Sequence, residues 1–273
     1  MGSSRKPCPP RGHLSRAARL LPAKPGEKTT SDFRGATISC ADLPSILAPK
    51  HSVYRVSLGL DVFREPEWEW TGDNRFDDPE HGKGNSVPGL FRVIYCASSR
   101  TGAFGETIAR FRKSLRLLSR LGEIEDDEPL DPELEGGLLP EEWLLNRRVG
   151  ASRLDESLNF ADLDDPPTAT LLRRELAPLL GELGLDDLDF SDLIGRERQV
   201  TQNAARCIYQ ATEETGAPVF DGIRYVSRLN PGWELWAVFA DRMVHEPEEL
   251  YHTISREDPD PRTAAEIMDI EIE

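Results

Sequence analysis

Residues 221–239, DGIRYVSRLNPGWELWAVF, leave this chain few folds to choose from. Two runs rich in β-branched and aromatic residues flank Asn230, Pro231 and Gly232, the punctuation of a β-hairpin. Side chains alternate along a strand, so Ile223, Tyr225, Ser227 and Leu229 share one face, while Arg224, Val226 and Arg228 share the other. Ser227 thus interrupts an apolar row. A buried unsatisfied hydroxyl costs about 1–3 kcal/mol, so its place there is tolerable if that face borders a ligand pocket.

Two more strands are legible upstream. SVYRVSL (52–58) and FRVIYCA (91–97) have the same composition, and the polar stretch between them, with Gly82, Gly84, Pro88 and Gly89, reads as loop. After Ala97, SSRTG supplies capping residues, and Phe104, Ile108, Phe111, Leu115 and Leu118 then recur at helical spacing. Further helices are predicted at PEEWLLNRR, over 168–183 with an interruption at Pro178, and over 197–215 with Gly216 as stop signal. Strands towards both ends with helices between predict a mixed α+β domain rather than regular βαβ winding.

Charge divides the chain. Net charge is −16, yet residues 1–50 hold nine Lys and Arg against three Asp and Glu, a local +6 that leaves −22 for the remainder. Residues 1–48, rich in Pro, Gly, Ser and basic residues, are expected to form a disordered basic arm. The domain is expected over 49–245, and 246–273 reads as a C-terminal extension. Within the domain, residues 121–170 carry fifteen Asp and Glu against three Lys and Arg, and EIEDDEPLDPELEGG reads as an exposed excursion.

A body this acidic is a poor general binder of nucleic acid, because phosphate neutralisation requires a basic surface. Small phosphate-bearing ligands are not excluded, since a local pair of arginines outweighs carboxylates beyond the Debye length of about 8 Å. Cys8, Cys40, Cys96 and Cys207 form no Cys-x-x-Cys pair and are read as free thiols of a reducing compartment. No apolar run approaches the roughly 20 residues of a membrane span, and the first residues lack a secretory core, so the expected location is cytoplasmic. His13, His51, His81, His245 and His252 lack metal-ligand spacing, and HGKGNS lacks the pattern of a phosphate-binding P-loop. No metal is expected.

What remains is a set of polar residues at strand ends and a helix start: Arg55, Arg75, Tyr95, Glu106 and Ser227. Taken singly, each has an ordinary structural use; Glu106, for instance, could pair with Arg110 one helical turn on. Together they lie in YRV, NRFDDP, VIYCASSRTGAFGE and DGIRYVSR, in an order that resembles the RES-domain proteins, named for Arg, Glu and Ser. The resemblance runs from about Val53 to Phe239. RERQVTQNAARCIYQ before DGIRY and WELWAVF after it look like the longer actinobacterial form. Phe76 stands where many members have Trp, and Val226 where Pro is common.

That resemblance implies an ADP-ribosyltransferase-like mixed split β-sheet flanked by helices, and cleavage of NAD⁺ at the nicotinamide–ribose bond. Toxin members use inorganic phosphate as acceptor and release nicotinamide and ADP-ribose 1''-phosphate; no prosthetic group is implied. Carried over by motif, Arg55, Glu106 and Ser227 are the catalytic positions, and Arg75 and Tyr95 bind substrate. Two guanidiniums would grip a pyrophosphate or an incoming phosphate. Tyr95 would offer a flat face to nicotinamide, and Glu106 would stabilise positive charge on the ribose. Ser227 would donate to nicotinamide or phosphate. Alternatives are an ADP-ribosyltransferase acting on a macromolecule, an NAD⁺ glycohydrolase, and an inactive interaction module. The implied protein partner is a helix-turn-helix antitoxin that blocks the cleft; no membrane is implied.

Overall fold

The structure, a computed structural model, describes residues 39–81, 90–113 and 136–273, all within the unit Thr37–Glu273. Its strands are β1 (Ser45–Leu47), β2 (Val53–Ser57), β3 (Val93–Ala97), β4 (Leu138–Leu139), β5 (Arg148–Leu154), β6 (Asn159–Asp162), β7 (Gly222–Val226), β8 (Glu234–Phe239), β9 (His245–Thr253) and β10 (Glu271–Ile272). Its helices are α1 (Arg100–Ile108), α2 (Glu141–Leu145), α3 (Pro166–Glu175), α4 (Ala177–Glu182), α5 (Phe190–Leu193), α6 (Arg198–Gln210) and α7 (Pro259–Met268).

Eight strands form one sheet in the order β1-β6-β7-β8-β3-β2-β5-β9, while β4 and β10 pair in parallel elsewhere. Only the β6–β7 junction of the large sheet is parallel. Alternation explains why this sheet is buried on both sides. Val93, Ala97, Leu235, Ala237 and Phe239 join the core under α3, α4 and α6, while Ile94, Cys96, Trp236 and Val238 join a second core on the opposite face. A third cluster packs α1 and α7 around Trp143 and Trp233. The expected α+β class, with a mixed sheet flanked by helices, holds.

The sheet is split where β2 meets β3. These strands are registered only at Tyr54↔Ala97, whereas β2 and β5 stay paired from Val53↔Ser152 to Ser57↔Arg148. Beyond Tyr54 the chain therefore opens a gap in an otherwise continuous layer.

Several expectations are met locally. The 221–239 stretch is the antiparallel β7–β8 hairpin, with Trp233 N–H donating to Asn230 O at 2.9 Å across the turn. Helix α1 starts on Ser99, whose hydroxyl accepts from Gly102 N at 3.1 Å. Leu115 and Leu118, predicted to continue its apolar stripe, lie outside the described residues. The helical stretch 168–183 is broken into α3 and α4 at Leu176, just before Pro178.

Other readings are corrected. Residues 1–38 of the supposed arm lie outside the described residues, but 39–48 are built into the fold, with β1 pairing to β6. Of the acidic stretch 121–170, residues 121–135 lie outside the described residues, whereas β5 and β6 are sheet strands. Counting charge over fifty residues hid the run RVGASRL, whose Val149, Ser152 and Leu154 are buried. Residues 246–273 are not an appendage. β9 completes the sheet beside β5, and α7 docks on α1 through Pro261, Ala264, Ala265 and Met268 and through Arg100 to Asp258 and Asp260, at 2.7 and 2.9 Å. The helix expected over 197–215 ends at Gln210, because Arg242 takes the Tyr209 carbonyl and the chain turns back to pair Thr212 with Pro218. Gly216, at φ 85°, serves that return turn.

The free-thiol reading fails at two positions. Cys40 and Cys207 are joined by a disulfide, with Cα atoms 5.9 Å apart across 167 residues of sequence. Separation along the chain said nothing about separation in the fold. Cys96 stays a free thiol in the core, and Cys8 lies outside the described residues. Closing so long a loop restricts the unfolded chain, so reduction, or Cys207→Ala, is expected to lower stability by about 2–5 kcal/mol. Denaturant titration with and without reductant measures this; identical midpoints would show that the bond contributes nothing.

Candidate functional site

Where β2 parts from β3, a cleft of about 430 Å³ opens over the sheet. Its walls include Arg55, Arg75, Tyr95, Glu106, Arg198 and Arg228. The first four were singled out from the sequence. Arg55 and Cys96 point, by alternation, to the face opposite Tyr95, and they reach the cleft because the two strands diverge there.

Glu106 is placed by close packing of α1 on the β7–β8 turn. A Cβ on Gly105 would stand 2.2 Å from the Trp233 ring, so only glycine lets the helix lie that near. Trp233 O in turn accepts from Ser227 N at 2.9 Å, which fixes Ser227 one residue past β7. The Ser227 hydroxyl donates to Glu106 Oε1 and accepts from Leu229 N at 3.0 Å. Ser227 is buried and does not line the cleft. The row of apolar side chains tolerates this hydroxyl because a carboxylate and a turn amide satisfy it, not because it reaches a ligand. Glu106 takes Ser227 rather than Arg110.

Arg75 sits on a loop organised around one acid. Asp77, 1% exposed, accepts from Gly72 N (2.7 Å), Asn74 N (3.0 Å) and Asn74 Nδ2 (2.9 Å) with one oxygen, and from the Tyr95 hydroxyl (2.9 Å) with the other. The same hydroxyl accepts from Phe76 N at 2.9 Å. Tyr95 is therefore a strut whose oxygen is fully used and whose ring borders the cleft. Burial, followed by the Asp77 charge, raises its pKa well above the usual phenol value. Helix α6 braces the loop from outside: Gln202 Nε2 donates to Gly72 O (2.8 Å) and Asn74 O (3.0 Å), Arg198 Nε to Asp73 O (3.1 Å), and Arg206 to Asp78 (2.8 Å).

The cleft is cationic although the chain is acidic. Arg55 Nη1 donates to Arg64 O at 3.3 Å, and burial lowers its pKa against the opposing pull of Cys96 and Asp61. Burial likewise pushes the Cys96 thiol up to about 12, so it is no nucleophile. Arg75 is 8% exposed, with its guanidinium 5.5 Å from the Tyr225 ring centre. The Tyr225 hydroxyl is shifted up by burial and then by the charge of Glu106. Such an arrangement can hold an anion beside a carboxylate poised to stabilise developing positive charge.

Sequence reasoning missed the supports: Asp77, Asp78, Gln202, Arg198 and Arg228. A signal existed for four of them. Asp77 and Asp78 sit inside NRFDDP, and Arg198 and Gln202 are one helical turn apart on one face. The potential ligand group Cys40, Glu175 and Cys207 does not line the cleft, and its two sulfurs are bonded to each other.

No protein-family model matches the chain, and no curated protein matches it. Among solved structures, a chain from the crystal structure of the M. tuberculosis MbcT-MbcA toxin-antitoxin complex is similar at 14% identity and a TM-score of 0.43, covering 82% of this chain and 92% of that one. Among the described residues, no helix is long and apolar enough to cross a membrane. The packing of α1 yields a direct test. Gly105→Ala should destabilise the protein by about 1–3 kcal/mol in thermal unfolding, with partial recovery when Trp233→Leu makes room; a neutral Gly105→Ala would remove the close approach.

Proposed function

We propose that this chain is an enzyme that cleaves NAD⁺ at the nicotinamide–ribose bond, with inorganic phosphate as acceptor. The observation that supports this most strongly is Glu106, held from behind by the buried Ser227 hydroxyl, lining one cleft with Arg55, Arg75 and Tyr95. Those are the five positions that resemble the RES-domain pattern, and they are drawn from 173 positions of sequence, Arg55 to Ser227.

In this reading the C1''–N bond breaks and its electron pair stays on the pyridine nitrogen, so nicotinamide leaves neutral. Positive charge then develops on the ribose. Ser227 donates to Glu106 Oε1, which fixes the carboxylate and leaves its second oxygen for the ribose 2''-hydroxyl. That contact strengthens as the bond breaks, which is what lowers a barrier. A phosphate oxygen then bonds to C1'', giving ADP-ribose 1''-phosphate. The role of Ser227 here is to orient Glu106, since its proton is engaged there. Tyr95 contributes its ring, its hydroxyl being committed to the Arg75 loop. Arg55 and Arg75 supply positive charge to the phosphate groups.

The resemblance extends the proposal to a cytoplasmic toxin held inactive by a helix-turn-helix antitoxin seated over the cleft. Incubating the protein with NAD⁺, with and without phosphate, and identifying products by mass spectrometry tests the chemistry. Nicotinamide and ADP-ribose 1''-phosphate are expected. Free ADP-ribose alone would make the enzyme a glycohydrolase, and a labelled macromolecule would make it a transferase. Glu106→Gln should reduce turnover roughly 100-fold or more, and full turnover in that variant would overturn the assignment.

A further inference from the structure

Among the described residues, two guanidinium nitrogens of arginines lining the cleft are buried without a hydrogen-bond partner: Nη1 of Arg75 and Nη1 of Arg198. Arg75 is more than nine-tenths buried. Among the described residues, neither these two nor Arg228 forms an ion pair, although acidic side chains outnumber basic ones 49 to 33 in the chain. The three cations are close enough to oppose one another. The Arg228 pKa is lowered first by burial and then by Arg75, Arg196 and Arg198 against the opposing pull of Glu106, and Tyr225 feels Arg75 and Arg198 as well as Glu106. Buried positive charge left without donors' partners is strongly unfavourable unless an anion completes it.

Arg55 does not belong to this group. It lies on β2, and the order β7-β8-β3-β2 sets it three strand spacings, or about 14 Å, from β7 at its backbone. Its Nη1 is engaged by Arg64 O. Arg55 thus stands at the split, while Arg75 packs over the Tyr225 ring and shares the cleft wall with Arg198 and Arg228.

We infer that Arg75, Arg198 and Arg228 form a seat for a phosphoryl-bearing anion, and that Arg198 and Arg228, rather than Arg55, partner Arg75 in holding it. Guanidinium forks match phosphate oxygens in pairs, and three of them suit a group with more than one negative charge. The seat rests on the proposed NAD⁺ reading only for the identity of its occupant: either the diphosphate of the dinucleotide or free phosphate. Arg198 is a positioning residue as well, because its Nε holds Asp73 O and so ties the seat to the Arg75 loop.

Isothermal titration of the full chain with ADP, inorganic pyrophosphate, inorganic phosphate and adenosine tests this without needing turnover. Arg198→Gln and Arg228→Gln are each expected to weaken the phosphoryl ligands about tenfold and to leave adenosine unchanged. Loss confined to ADP and pyrophosphate assigns the seat to the diphosphate, and loss confined to phosphate assigns it to the acceptor. Wild-type affinity for all phosphoryl ligands in both variants overturns the seat, as does an equal loss for adenosine. Because Arg228 is exposed, its variant should fold even if Arg198→Gln disturbs the loop. NAD⁺ cleavage measured on the same samples separates the two ideas: cleavage with unchanged affinity of the variants for every phosphoryl ligand refutes the seat alone, and anion binding without cleavage refutes the activity alone.

Discussion

A carboxylate cannot be buried without donors, and Asp77 is buried almost completely. Its two oxygens collect two backbone amides, one side-chain amide and one phenol, and in doing so they join the 72–77 loop to the central strand β3. Together with Gln202 and Arg198 of α6, this network holds the loop that carries Arg75 inside the protein. The loop that carries the cation is fixed by these hydrogen bonds, and among the described residues no ion pair holds Arg75 itself. Asp78 does similar work one residue later, accepting from Phe91 N and from Arg206 of α6. The loop is thereby pinned between sheet and helix.

The second half of the cleft depends on shape rather than charge. Gly105 allows α1 to rest on Trp233, and Trp233 positions Ser227, which grips Glu106. Glu106 and Arg75 are thus mounted on different supports, one on the β7–β8 turn and the other on the 72–77 loop. The split between β2 and β3 supplies the space between them. On the far face of β7, Arg224 is wholly committed to Asp162, Asp164 and Glu234, which shows what an arginine of this chain looks like when its role is structural.

Period-two patterning made β2, β3, β7 and β8 legible, because each is a short apolar or aromatic run bounded by turn residues. Capping at Ser99 and the break before Pro178 were legible for equally local reasons. What escaped was decided by partners far away in sequence. β5 lay under a run of acids, β9 reads as polar (HEPEELYHT) and becomes a strand only by pairing with β5, and Cys40 meets Cys207 only once α6 has docked. The positions Arg55, Arg75, Tyr95, Glu106 and Ser227 came from motif resemblance, and no local rule would have grouped them. Even so, alternation assigned Ser227 to the correct row while misreading its purpose: the hydroxyl stabilises an acid instead of touching a ligand.

The strand order carries a cost in time. β2 lies between β3 and β5, β5 between β2 and β9, and β6 beside β7 sixty residues onward, so almost every ladder joins segments remote along the chain. Folding dominated by such non-local pairings is slow, because loop closure must precede the contacts that reward it. The cleft wall runs from β2 to β8, so it cannot close until β8 has left the ribosome. A nascent chain lacking residues 222–239 has neither the Trp233 shelf nor the Ser227 hook, and so has no assembled pocket until that hairpin is made.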